Sequence, residues 1–223
     1  MARIAVVAGA TGLVGDRLLL RLADSSDYDE IRVLGRRPPS REAGKIRFVA
    51  TDFSDLPAHA SALAVDDVFC CLGTTIRVAG SRPAFERVDY HMVVDLARAA
   101  HKAGAKRFLV VSAVGASERS PAFYSRVKGR MEKAVRQLPF EAVHIVRPSL
   151  LLGERKEARP GERLGQRVAP LLSPFMLGPL AKYRAVSAGD VADALITLAR
   201  SPAKGAHIHH LPLGRRAAES RFS

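Results

Sequence analysis

The stretch from Arg3 to Gly15 constrains this chain more than any other. Arg3–Ala8 reads as a continuous apolar strand, the pattern of a parallel strand covered on both faces. It runs into Gly9-Ala10-Thr11-Gly12-Leu13-Val14-Gly15, and apolar residues then recur at helical spacing to about Ala23. Gly9 allows a tight turn out of the strand. Gly12 lets the backbone approach a ligand with no Cβ in the way, and Gly15 lets the helix pack closely on the sheet. The helix N-terminus then presents free N–H groups and a partial positive charge, which suit a pyrophosphate. Strand, glycine turn and helix in this order predict a dinucleotide-binding βαβ unit. Its phosphate site would be built from Gly9, Thr11, Gly12, Leu13, Val14 and Gly15.

The alternation continues along the chain. Ile31–Leu34, Ile46–Val49, Val65–Leu72, Phe108–Ser112, Val143–Val146 and His207–Leu211 read as strands, and Pro83–Ala103, Pro121–Leu138 and Ser187–Arg200 as helices. Gly104 stands where a helix end favours glycine, Ser120 with Pro121 suits an N-cap and first turn, and Asp190 complements the dipole of the last helix. The pattern predicts an α/β fold: a Rossmann-like doubly wound parallel sheet with helices on both faces, formed by residues 1–223 as a single domain. Gly153–Arg184 breaks the rhythm, first charged, then apolar and interrupted by prolines. It is expected to be an irregular insertion over the carboxyl edge of the sheet, serving as a lid or pocket wall. A subunit interface and a membrane-surface contact are the alternatives.

The end of the second strand bears on the cofactor. A site that prefers NAD(H) places Asp or Glu there to accept from the ribose 2′-OH. This chain has Gly35-Arg36-Arg37 instead, and a guanidinium matches a 2′-phosphate with forked donors. NADP(H) is therefore preferred over NAD(H), the alternative being that Arg36 and Arg37 are solvated loop charges. Asp52, just past the third strand, either accepts from the adenine amino group or caps the short helix that follows.

Thirty-five Lys and Arg against 22 Asp and Glu leave a net charge of +13. The cations are dispersed, without a patch or nucleic-acid motif, so the expectation is a diffuse field that attracts anionic small molecules, with no nucleic-acid partner. No apolar run approaches a membrane span, and Met1-Ala2-Arg3-Ile4 leads straight into a strand, so neither a span nor a signal peptide is expected. Cys70 and Cys71 are neighbours that cannot staple a loop without strain; they read as buried thiols, one on each side of the sheet, in a cytoplasmic protein. His207, His209 and His210 have no cysteine or carboxylate nearby to complete a metal shell, so no metal is expected.

Ser112 closes the fifth strand, while Tyr124 and Lys128 lie four apart on the following helix and share a face. An ammonium beside a phenol favours the phenolate, which fits Tyr124 to give a proton to a carbonyl oxygen or take one back. Lys128 is placed to hold the nicotinamide ribose, and Ser112 to bond the substrate oxygen.

Gly9–Gly15, Ser112, Tyr124 and Lys128 together resemble the short-chain dehydrogenase/reductase superfamily, in its atypical branch, close to the TIP30/CC3-like group. The likeness extends through Cys71-Leu72-Gly73-Thr74-Thr75, Val111–Ala116 and Arg147-Pro148-Ser149, to about Leu211. It implies an NADP(H)-binding Rossmann fold with a Ser–Tyr–Lys site acting on a small carbonyl compound, and a cofactor-binding loop at Cys71, Leu72, Gly73 and Thr74. The Asn-Ala-Gly stretch of ordinary short-chain enzymes is Cys71-Leu72-Gly73 here, which removes an asparagine from any proton relay. The alternative the branch implies is an NADP(H)-binding regulatory or redox-sensing protein with little or no turnover and a protein partner. Oligomerisation is compatible with either reading.

Overall fold

The computed structural model of the protein describes residues 3–40, 44–149, 151–152 and 186–211. The insertion expected at Gly153–Arg184 lies outside the described residues. Seven strands carry the frame: β1 (Ile4–Ala8), β2 (Glu30–Gly35), β3 (Ile46–Ala50), β4 (Asp67–Cys70), β5 (Arg107–Val111), β6 (Ala142–Arg147) and β9 (Gly205–His210). They are parallel throughout, in the order β3-β2-β1-β4-β5-β6-β9. Two further strands, β7 (Leu151–Leu152) and β8 (Val186–Ser187), pair with each other; their two-residue length left no readable pattern in the sequence.

Apolar strands buried on both faces need helices on both faces. On one side α1 (Leu13–Asp24) and α7 (Ala188–Ala199) cover Val7, Ile31, Phe69 and Leu109. On the other α5 (Val93–Lys102) and α6 (Phe123–Arg136) cover Val6, Val68, Phe108 and Val110. Cys70 joins the second cluster and Cys71 packs on the first, so the two thiols do face opposite sides of the sheet.

Local signals explain most boundaries. Ser187 and Asp190 form a reciprocal capping box at the start of α7, with N···O distances of 2.9 and 3.0 Å. Ser120 does not cap α6: its hydroxyl accepts from Ala122 N–H at 3.2 Å in a tight turn, and the helix starts at Phe123, after Ala122. The single helix expected over Pro83–Ala103 is three pieces: α4 (Arg82–Glu86), a π-helical stretch Arg87–Met92, and α5. Apolar periodicity averages over such a widened turn and cannot register it.

The amino edge of the sheet is closed by ions. Asp67 is fully buried and accepts from the guanidinium groups of Arg3 and Arg107 and, at 2.6 Å, from the Tyr28 hydroxyl. Next to it, Asp66 accepts from Ile4 N–H at 3.0 Å and pairs with Lys106 at 2.7 Å.

The outer strand β9 lays His207 beside His144 of β6, and His144 Nδ1 lies 3.1 Å from His209 Nε2. Among the described residues no group of three or more His, Cys, Asp or Glu could hold a metal ion. Burial, then the neighbouring imidazoles, draw His144 and His209 from 6.5 down to about 4. Both are neutral in the fold at pH 7, whereas the unfolded chain protonates them below about 6.5. Stability is therefore complete above that pH and falls as pH drops toward 4, by on the order of 3 kcal/mol for the buried His144 imidazole. The urea midpoint should fall between pH 7 and pH 5, less steeply in His144→Gln. Equal slopes in the two proteins would refute the assignment. No helix among the described residues is long and apolar enough to cross a membrane.

Candidate cofactor and catalytic site

Strand order reverses between β1 and β4, which sets the loops leaving these strands side by side at the carboxyl edge, where ligands sit in such sheets. Cys71 N–H donates to Ala8 O at 2.8 Å and fixes the two exits together. Gly9 has φ +84°, and a Cβ on it would lie 2.6 Å from the Cys71 carbonyl carbon and oxygen. A Cβ on Gly15 would lie 2.1 Å from Gly9 O. Both clashes are with backbone, which cannot swing aside. Gly9→Ala should therefore cost at least about 2 kcal/mol and lower the melting temperature by about 4–8 °C. A melting temperature within a degree of wild type would show that the turn is not held as described.

Gly12 is the N-cap of α1 and, among the described residues, no side chain bonds to this helix end, unlike that of α7. Thr11 and Gly12 are exposed, Leu13 is half-buried, and Val14 and Gly15 are buried. The first-turn amides thus have no side-chain acceptor among the described residues, which suits a chain of phosphates. The residues present fit a dinucleotide.

Just past β2, Arg36 and Arg37 are exposed and make no hydrogen bond or ion pair with another described residue. Asp52 is also exposed, and its Oδ1 accepts from Ser54 N–H at 2.9 Å and from Ser54 Oγ at 2.6 Å. These bonds hold its carboxyl below the usual carboxylate range. The cap of the short 3-10 helix Leu56–His59 is Asp55, so the capping alternative for Asp52 is withdrawn; an Asx turn to Ser54 engages its side chain instead.

Helix α6 organises the opposite side. Its Gly129 runs so close to the backbone of Ser117 and Glu118 that a Cβ would lie 2.2 Å from Ser117 C, which draws the loop after β5 onto the helix. Tyr124, Lys128 and Glu132 then follow one another at four-residue spacing, and each meets a different element. The Tyr124 ring lies 5.5 Å from that of Phe85, with 38% of the residue exposed, and its hydroxyl bonds to no described residue. Lys128 Nζ is 2.7 Å from Asp89 Oδ1 in the π-helical stretch, and both side chains are buried. The second oxygen of Asp89 accepts from Thr74 N–H at 2.8 Å. Burial alone would push the Lys128 ammonium down, but Asp89 outweighs it and holds the group above its ordinary value. Ser112 Oγ donates to Glu132 Oε1 at 2.5 Å, and Glu132 is gripped by both Nε and Nη2 of Arg147 at 2.9 and 2.5 Å. The only hydrogen of the Ser112 hydroxyl is thus committed to a carboxylate, and its oxygen lone pairs are what remain for other partners.

Glu132 and Asp89 were not anticipated. Glu132 had a signal, one further turn beyond Lys128 on the same helix face. Asp89 had none, because the π-helical turn sets its direction. Leu72, like Cys71, is half-buried, and Gly73 is exposed; a Cβ on Gly73 would sit 3.4 Å from Asp89 Oδ1 and 3.8 Å from Lys128 Nζ. Burial raises the Cys70 thiol to about 12 and raises Cys71 as well, the opposite of what a redox-sensing thiol needs.

Residues 9–202 match the family model described as NAD(P)H-binding. Over 154 residues the chain is 40% identical to the protein FMP52, mitochondrial, of Meyerozyma guilliermondii, covering 68% of this chain and 66% of that protein. Over 165 residues it is 36% identical to the protein HTATIP2 of Rattus norvegicus, covering 72% of this chain and 68% of that protein. Among solved structures, the dTDP-glucose 4,6-dehydratase DesIV of Streptomyces venezuelae with NAD bound superimposes with a TM-score of 0.70 at 19% identity, over 93% of this chain and 75% of that one. This likeness concerns the fold alone. The cytoplasmic placement expected from the two thiols does not stand, since the FMP52 relatives are named mitochondrial proteins. Reduced thiols report the redox state of the surroundings and do not identify a compartment.

Proposed function

The chain belongs to the NAD(P)H-binding family, with HTATIP2 and the FMP52 proteins as relatives, and from this we propose an NADPH-dependent oxidoreductase that reduces a small carbonyl compound. The observation that carries the reading is the stripe on α6: a surface-exposed Tyr124 one turn from a buried, charged Lys128. The stripe stands at the carboxyl edge of the sheet, across from a glycine turn with an open helix end.

Each residue then has a part. The turn Gly9–Gly15 and the first amides of α1 bind the pyrophosphate. Arg36, with Arg37 beside it, binds the 2′-phosphate through forked donors. Asp52 borders the adenine, and Cys71, Leu72, Gly73 and Thr74 border the nicotinamide half. When bound, the reduced nicotinamide supplies the hydride that converts a carbonyl carbon to an alcohol. Lys128 has three N–H donors, one of them spent on Asp89, and the other two suit ribose hydroxyls. Tyr124 gives its hydroxyl proton to the carbonyl oxygen, and Ser112 fixes the position of that oxygen once its hydroxyl turns its hydrogen from Glu132 to it.

Fluorescence titration of the purified protein with NADPH and with NADH tests the cofactor half of the proposal. NADPH should bind at least about tenfold more tightly, and Arg36→Ala should remove about tenfold of that preference with little effect on NADH, as expected for one charge-assisted contact. Equal affinity for the two cofactors in wild type would end the NADPH assignment. A screen of aldehydes and ketones by loss of NADPH absorbance tests the chemistry.

A further inference from the structure

We propose that Asp89 is a positioning residue that locks the Lys128 ammonium to the loop after β4, so that cofactor binding depends on one buried carboxylate. The inference rests on the cofactor site proposed above and names the group that governs it.

Three elements meet on this side chain. Asp89 is 1% exposed, although an acid on a helix ordinarily points to water. Oδ1 takes Lys128 of α6, and Oδ2 takes the Thr74 N–H of the loop after β4. The π-helical stretch Arg87–Met92 carries the residue, and widened turns of this kind recur at functional sites. Gly73 lies directly beside the pair: a Cβ there would sit 3.4 Å from Asp89 Oδ1 and 3.8 Å from Lys128 Nζ.

Electrostatics makes the arrangement one-sided. The groups bearing on Lys128 are Asp89 from the π-helical stretch, Tyr124 one turn earlier on its own helix, and the Cys70 thiol from β4. Glu132, one turn later, is occupied by Arg147 and Ser112. Asp89 is therefore the one carboxylate among these groups that pairs directly with the ammonium. A buried lysine without a counter-charge can give up its proton near neutral pH. The amine that remains is a weaker donor to ribose hydroxyls than the ammonium. A substitution that removes the charge of Asp89 and keeps its shape should thus make NADPH binding sensitive to pH.

The test is the dissociation constant of NADPH for wild type and Asp89→Asn from pH 5.5 to 9, read by fluorescence titration and expressed as the variant's value divided by that of wild type. The ratio cancels the titration of the cofactor's own phosphate. It should rise with pH, by roughly five- to tenfold across the range, the difference between a charged and a neutral donor. Asp89→Glu, which keeps the charge, should give a ratio that does not change with pH. So should Asp89→Asn in a Lys128→Arg background, because a guanidinium does not lose its proton there. A ratio for Asp89→Asn that stays constant overturns the proposal. If Asp89→Asn does not fold, Lys128→Met is compared with Lys128→Met/Asp89→Asn. Equal NADPH affinity within twofold supports action through Lys128, and a further loss in the double variant overturns it. Failure of the wild-type protein to bind NADPH at all would instead remove the site reading on which the inference stands.

Discussion

Replacing Asp67 by alanine should remove about 3–5 kcal/mol of stability, the usual cost of breaking a buried ion pair from one side. Asp67 has no exposed surface, and it satisfies Arg3, Arg107 and the Tyr28 hydroxyl at once. Burial, followed by the nearby Asp67 charge, raises the Tyr28 phenol, so Tyr28 is a neutral donor that needs its acceptor. Alanine would leave two guanidinium groups and a hydroxyl without that acceptor at the base of three strands. In urea the unfolding midpoint should fall while the slope of free energy against denaturant stays constant. The triple variant Arg3→Met/Asp67→Leu/Arg107→Met, which removes every charge together, should recover much of the loss. A loss below about 1 kcal/mol in Asp67→Ala would show that water already reaches the cluster, as in a surface pair.

Tyr124→Phe should reduce turnover about 10²–10⁴-fold, the range for losing a positioned general acid, while the dissociation constant for NADPH stays within about twofold. The ring would keep its packing on Phe85, and the hydroxyl has no structural partner among the described residues to lose. The two readouts therefore separate chemistry from folding and from cofactor binding. Full turnover in Tyr124→Phe would remove Tyr124 from the mechanism. Unchanged cofactor binding together with no turnover in wild type, on any carbonyl compound offered, would favour a binding protein over an enzyme.

Much of the frame was legible because it depends on local rules. An apolar strand running into Gly9, Gly12 and Gly15 has few alternatives, and the structure supplies the clashes that a Cβ at Gly9 or Gly15 would meet. Asp190 in the first turn of the last helix and the opposite facing of Cys70 and Cys71 follow from spacing alone. Ser120 shows where such rules give way: a serine followed by proline is compatible with a cap and with a tight turn, and the bond to Ala122 N–H selects the turn.

Residue types and their spacing along one element could therefore be read from the chain alone: the strand–turn–helix unit, the alternation that builds the sheet, and the shared face of Tyr124 and Lys128. Partners that come from distant elements could not. Lys128 meets Asp89 only because a π-helical turn redirects the carboxylate, and Ser112 meets Glu132 only because α6 lies against the loop after β5. Asp67 likewise draws its partners from Arg3, Tyr28 and Arg107, at separations of 64, 39 and 40 residues. The physical reason is common to all three. Backbone geometry sets direction within an element, whereas a buried charge takes whichever counter-charge the packed elements bring within hydrogen-bond reach.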